Sequence, residues 1–190
     1  MGQRLNMEIC SNGQVLANAY YHWSAYTSSS LELLKVVLNA YKHTKELSSL
    51  KIAVDILQAT GAGINESELE RIKRDESGKF NGIDFREAIN RNEGLLCVTE
   101  EGIANTKSWE EGRVTVDIDK EEFIFDVMCV ESNSEYDECG RDIMAADLPD
   151  TMFDFTAPCP FHDFDKFEKE ISDNPNGVRI DEDSILCWIE

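Results

Sequence analysis

No apolar run in this chain of 190 residues approaches the roughly 20 residues that a membrane-crossing helix requires. The opening MGQRLNMEIC also lacks the apolar stretch of a secretory leader, because a single Arg is followed by alternation. Asn6 stands where an N-myristoylation signal needs Ser or Thr. These absences predict a cytoplasmic protein with no membrane association. Missing too are a Gly-rich phosphate loop with its Lys, any internal repeat and any low-complexity tract. Basic charge is scarce: 18 Lys and Arg stand against 38 Asp and Glu, for a net charge of −20. A surface of that sign repels nucleic acid, so direct DNA or RNA binding is not expected.

What is present is a core-forming composition. The chain is 42% hydrophobic and 29% charged, too apolar for wholesale disorder and long enough for one good core or two small ones. The six cysteines are spread widely with no leader ahead of them, which reads as free thiols rather than a disulfide framework.

Local patterning predicts an α+β fold. Leu5, Met7 and Ile9 alternate with polar residues, Ser11-Asn12-Gly13 supplies a turn, and Val15–Trp23 is β-prone, so the chain opens with a β-hairpin. Ser29 and Glu32 read as a capping box for a helix running to about His43, and Leu47, Leu50, Val54 and Leu57 mark a second helix that packs back as a helical hairpin. Asn65 with Glu68 caps a third, Glu66–Arg74, and Asp84–Asn90 reads as a fourth helical segment. From Gly94 the period changes to that of strands. Leu95–Thr99, Arg113–Asp119 and Phe123–Val130, with Gly102 and Gly112 among the turn residues, predict an antiparallel β-meander with its third strand central. Residues 131–160 read as an acidic, loop-rich part, followed by a short helix on Phe161, Phe164 and Ile171 and a closing hairpin of Val178–Ile180 and Ile185–Ile189. The expected division is a β-hairpin plus helical region over 1–92 and an acidic antiparallel β region over 93–190, or one continuous domain.

Chemistry-bearing constellations are sparse. Asn81–Glu87 has the flavour of a calcium loop, but with Asp75 at position one the obligatory Gly falls on Phe80 and the closing acid on Arg86, which excludes an EF-hand. Cys159 and His162 have a zinc-compatible spacing, with Cys139 upstream as a third donor, but a closed site needs four and no second close pair exists. No metal, no cofactor and no catalytic residue is therefore expected, and acidic surroundings raise rather than lower a thiol pKa. A small phosphate or nucleotide pocket at Tyr20, His22, Ser24 and Ser28, where a strand feeds a hydroxyl-rich helix start, is the alternative reading: a pocket protein or small enzyme.

The stronger signal is where the charge lies. Residues 1–60 carry 5 basic and 4 acidic groups, residues 61–115 carry 8 and 12, and residues 116–190 carry 5 and 22. On the strand through Asp117 and Asp119 two carboxylates project from one face about 6.6 Å apart, close to two phosphate steps of about 3.4 Å on a DNA strand. Glu121 and Glu122 extend that track, and Glu135, Asp137, Glu138, Asp142, Asp163 and Asp165 continue the acidic surface. In charge, size and general character, resting on residues 116–190, the chain resembles the phage-encoded nucleic-acid mimics, the anti-restriction and anti-CRISPR inhibitors. That resemblance implies a non-enzymatic inhibitor in the host cytoplasm, whose partner is a basic nucleic-acid-binding protein such as a nuclease effector. The near-neutral N-terminal part would then serve as scaffold or homodimer interface.

Overall fold

The computed structural model describes residues 4–44, 47–75, 77–88, 94–108, 110–127 and 157–173. Its centre is one mixed sheet. The strands are β1 (Leu5–Ser11), β2 (Gln14–Tyr21), β3 (Leu95–Cys97), β4 (Gly112–Asp117), β5 (Glu122–Val127) and β6 (Cys159–Pro160), and they lie in the order β3-β2-β1-β4-β5-β6. Five α-helices accompany them among the described residues: α1 (Thr27–Tyr41), α2 (Ser49–Gln58), α3 (Glu66–Arg74), α4 (Glu100–Lys107) and α5 (Phe164–Asp173). The fold is α+β, as the patterning predicts.

The opening hairpin forms as expected. Asn12 and Gly13 both take positive φ, 52° and 71°, the two-residue turn that matches strand twist. Leu5, Met7 and Ile9 point to one face and are fully buried, with Ala17, Ala19 and Tyr21 opposite them on β2. Onto this face pack Leu34, Val37 and Leu38 of α1 and Val54, Ile56 and Leu57 of α2. Phe164 and Phe167 of α5 cover Phe123 and Phe125 of β5 on the same side, ring centroids 5.0 to 6.0 Å apart and edge to face. The opposite face of β1 carries Asn6 and Glu8, and α4 lies over it.

Five expectations need correction. The strands after Gly94 do not form a meander: β3 returns to the far edge beside β2, α4 intervenes, and β4 enters the middle of the sheet parallel to β1, Met7 opposite Val114. Only β4 and β5 remain a hairpin, and β5 lies next to the edge, with Phe123, Phe125 and Val127 buried and their alternate residues half-exposed. Gly102, expected in a turn, is inside α4, whose N-cap Thr99 accepts the Gly102 N–H at 3.1 Å. Asp84–Ala88 is not helical, because its backbone is held alongside Ile64, with Ile64 N–H on the Arg86 carbonyl and Ala88 N–H on the Ile64 carbonyl. Finally, α1 begins at Thr27, two residues before the expected cap, and Ser30 Oγ donates instead to the Ser24 carbonyl at 2.7 Å. The closing hairpin at 178–189 lies outside the described residues.

Among the buried residues, Glu68 is the least expected. It is fully buried, and its carboxylate accepts the N–H groups of Val98 and Thr99 at 2.9 and 2.8 Å while meeting Arg71 at 3.2 Å. The Asn65 side chain does cap α3 by accepting the Glu68 N–H. The other half of the expected capping box is replaced, since Glu68 turns inward to anchor the start of α4.

Candidate functional site

The tip of the β4–β5 hairpin and the segment that pairs with it bring the described acidic residues together. Val114, Val116 and Ile118 point into the core, as their spacing requires, and Asp117 points away. Asp117 is taken up by the turn itself: Oδ1 accepts the N–H groups of Asp119 and Lys120 at 3.1 Å each, and Oδ2 meets the Lys120 ammonium at 3.1 Å. Burial pushes its carboxyl upward, but the bonds from Lys120 and Asp119 outweigh it and hold the group below the usual range. Asp117 is thus a turn-former.

Asp119 and Glu121 behave differently. Asp119 Oδ2 accepts the backbone N–H of Asn12, which ties this hairpin to the tip of the first one. Glu121, held at φ 53°, shares the Tyr41 hydroxyl, 3.2 Å from its Oε1, with the Ile118 carbonyl at 3.1 Å, and its own carbonyl accepts the N–H of Phe161 at 2.8 Å. Burial and these two carboxylates push the Tyr41 phenol upward, so it stays a donor. Glu122 sits opposite Pro160 in the β5–β6 pair; Asp163 ends the short 3-10 turn Phe161–Asp163 that follows, and Asp165 lies in the first turn of α5, both exposed. Tyr41 and Phe161 meet edge to face at 5.3 Å beside them. The corner therefore holds Asp119, Glu121, Glu122, Asp163 and Asp165, with Lys120 turned to Asp117. Glu135, Asp137, Glu138 and Asp142 lie outside the described residues.

Of the alternative ligand residues, Tyr20 and His22 come together, and Ser24 and Ser28 do not join them. Tyr20 hydroxyl and His22 Nδ1 are 3.2 Å apart, and Trp23, 52% exposed, stands edge-on to the His22 ring at 5.1 Å. Tyr20 lines a cleft of about 270 Å³ between α3 and α4, whereas Ser24 lines another of about 330 Å³ beside α1, and Ser28 is exposed on the helix surface. The strand ends at Tyr21, so the alternation that would align Tyr20, His22 and Ser24 stops before Ser24 is reached.

Cys159 and His162 flank the same acidic corner. His162 is exposed and 3.9 Å from Asp163, and no group of three His, Cys, Asp or Glu side chains suited to a metal occurs among the described residues. Cys139 lies outside them. Burial first, then Asp163 and Glu170, pushes the Cys159 thiol up to about 11, and burial with Glu8 and Asp117 does the same for Cys10. Both are then almost wholly protonated at pH 8. Alkylation by iodoacetamide at these two positions, followed by peptide mass mapping, is expected to run about 100-fold slower than for an unperturbed thiol of pKa about 8.5. Labelling at the ordinary rate would contradict the buried, anionic surroundings of both.

Among the described residues no helix is long and apolar enough to cross a membrane. Comparison of the chain with protein-family models, curated proteins and solved structures returned no match.

Proposed function

We propose that this chain is a non-enzymatic acidic binding protein that occludes the basic, nucleic-acid-binding channel of another protein, an inhibitor of the type phages and mobile elements encode. The observation that carries this reading is how the carboxylates of the β4–β5 corner are held. Asp119 is held by a neutral donor, the Asn12 backbone N–H, and Glu121 shares the Tyr41 hydroxyl with the Ile118 carbonyl, so their oxygens are positioned while no Lys or Arg among the described residues cancels their charge. An anion ordered in advance loses little entropy when Lys or Arg side chains close on it, and the long-range field of a chain with net charge −20 speeds the encounter. The channel's cations then meet carboxylates where they would otherwise meet phosphates.

The test is capture of basic proteins from host lysate by the full chain, compared with an Asp119→Asn, Glu121→Gln, Glu122→Gln, Asp163→Asn variant. Asp117 is left in place because it forms the turn. Retention of a nuclease or other nucleic-acid-binding protein at about 0.1 M salt, and its release at about 0.5 M, is expected as exposed charges are screened. The variant should lose at least about tenfold in affinity. Equal retention by the variant, or binding indifferent to salt, would overturn the proposal.

A further inference from the structure

Where β2 feeds α1, at the opposite end of that helix from Tyr41, an exposed ring and a cleft adjoin each other. Trp23 is 52% exposed and Val36 is 39% exposed, and these are the two large exposed hydrophobic side chains among the described residues. Exposed apolar side chains scattered singly need no explanation, but these two share one place on the surface. Val36 lines the cleft of about 330 Å³ beside α1, together with Tyr21, Ser24, Glu32, Leu33 and Thr60, and Trp23 is the chain neighbour of Ser24. Trp23 does not itself line that cleft. Its indole stands edge-on to the His22 ring at 5.1 Å, and His22 Nδ1 lies 3.2 Å from the Tyr20 hydroxyl, so the ring is backed by its own chain and ordered in advance.

The cleft suits such a ring. Leu33, Val36 and the Tyr21 ring give it apolar walls, the Tyr21 and Thr60 hydroxyls satisfy each other at 2.5 Å, and Glu32 is the one charged side chain among those that line it. An indole brings an apolar body and a single N–H that seeks an acceptor. A projecting ring and a hole beside each other on one surface are self-complementary about a two-fold axis, so two copies can exchange rings in a contact that closes at the dimer. Charge selects the same occupant. Two molecules of net charge −20 repel across most of their surfaces. Trp23 and every residue lining the cleft fall within residues 1–60, which carry 5 basic and 4 acidic groups, a net of +1.

We infer that this face joins two copies of the chain, Trp23 of each entering the cleft beside α1 of the other, with its indole N–H on Glu32 at the rim. A Trp side chain buries about 150–250 Å². Two such anchors flanked by Leu33 and Val36 make a contact at the small end of the specific range, and a weak, reversible dimer with a Kd of about 1–100 μM follows. The contact does not use the acidic corner.

The experiment is sedimentation equilibrium of the full chain from about 1 to about 200 μM, at about 0.05 M and about 0.5 M NaCl. A monomer–dimer equilibrium with no larger species is expected, and it should tighten several-fold at the higher salt, because screening removes the repulsion between two strongly anionic molecules. That is the opposite sign to the salt dependence of a basic partner on the acidic corner. Trp23→Ala and Val36→Glu, both at exposed positions and so expected to keep the parent Tm, should each weaken the dimer at least about tenfold. The Asp119→Asn, Glu121→Gln, Glu122→Gln, Asp163→Asn variant should dimerise at least as tightly as the parent, since it removes like charge. A monomer throughout the range, a dimer that persists in either Trp23→Ala or Val36→Glu, association that weakens with salt, or a dimer lost in the four-acid variant would each overturn the assignment.

Discussion

Gly102→Ala is expected to destabilise the protein by about 2–3 kcal/mol, a fall in Tm of about 5–10 °C for a domain of this size. Helix propensity alone argues the reverse, since Ala in place of Gly inside a helix gains about 1 kcal/mol. Here the clash decides the sign. A Cβ at this position would stand 2.8 Å from Glu68 Cδ and closer still to its Oε2. Glu68 cannot retreat, because it is buried and is the acceptor for Val98 and Thr99 N–H. A double-mutant cycle with Glu68→Ala isolates the cause. That substitution removes the obstructing carboxylate, at a cost of about 3 kcal/mol from the orphaned N–H groups and Arg71. In its background Gly102→Ala should cost almost nothing or stabilise, so chemical denaturation should give a coupling of about 2–3 kcal/mol. Simple additivity would show that the carboxylate does not govern the helix start.

Phe123→Ala should cost about 3–5 kcal/mol, the range for a buried aromatic removed from a packed core. Phe123 is 1% exposed and meets Phe164 and Phe167 edge to face, so one truncation deprives α5 of most of its seat on the sheet. Beyond the loss of stability, tryptic cleavage at the exposed Lys166 and Lys169 should accelerate under conditions where the rest of the fold persists. An unchanged Tm, or an α5 that stays protected, would mean that the aromatic cluster does not hold the helix.

Features governed by neighbouring residues were legible from the sequence. The alternation of Leu5, Met7 and Ile9 with the Asn12-Gly13 turn specifies the hairpin, and Asn65 ahead of Leu69 and Ile72 specifies α3 to the residue. Features decided by distant partners were not. Asp84–Ala88 has helical spacing, yet backbone bonds to Ile64 draw it out straight. The eight residues of α4 carried a signal, Thr99 followed by Glu100 and Glu101, but Gly102 read as a turn because the carboxylate that requires it comes from another helix. Nothing local marks β4 as a parallel partner for β1. At the candidate site the sequence places Asp117 and Asp119 on one track, and the structure separates them, one into the turn and the other across to Asn12. Which carboxylates stay electrically uncompensated depends on Tyr41 and Asn12, far away in the chain.

The parallel pairing of β1 with β4 also sets an order in time. Met7 finds Val114 only after everything between them has been synthesised, roughly 5–20 s at ribosomal rates of about 5–20 residues per second. Until then the first hairpin has an open edge that will become the middle of the sheet, with the β1 backbone groups that later pair with β4 unanswered. Long-range closure of this kind makes folding slow. The nascent chain is thus most prone to aggregation before its strongly acidic part emerges, and the late arrival of that charge makes solubility a property of the finished molecule.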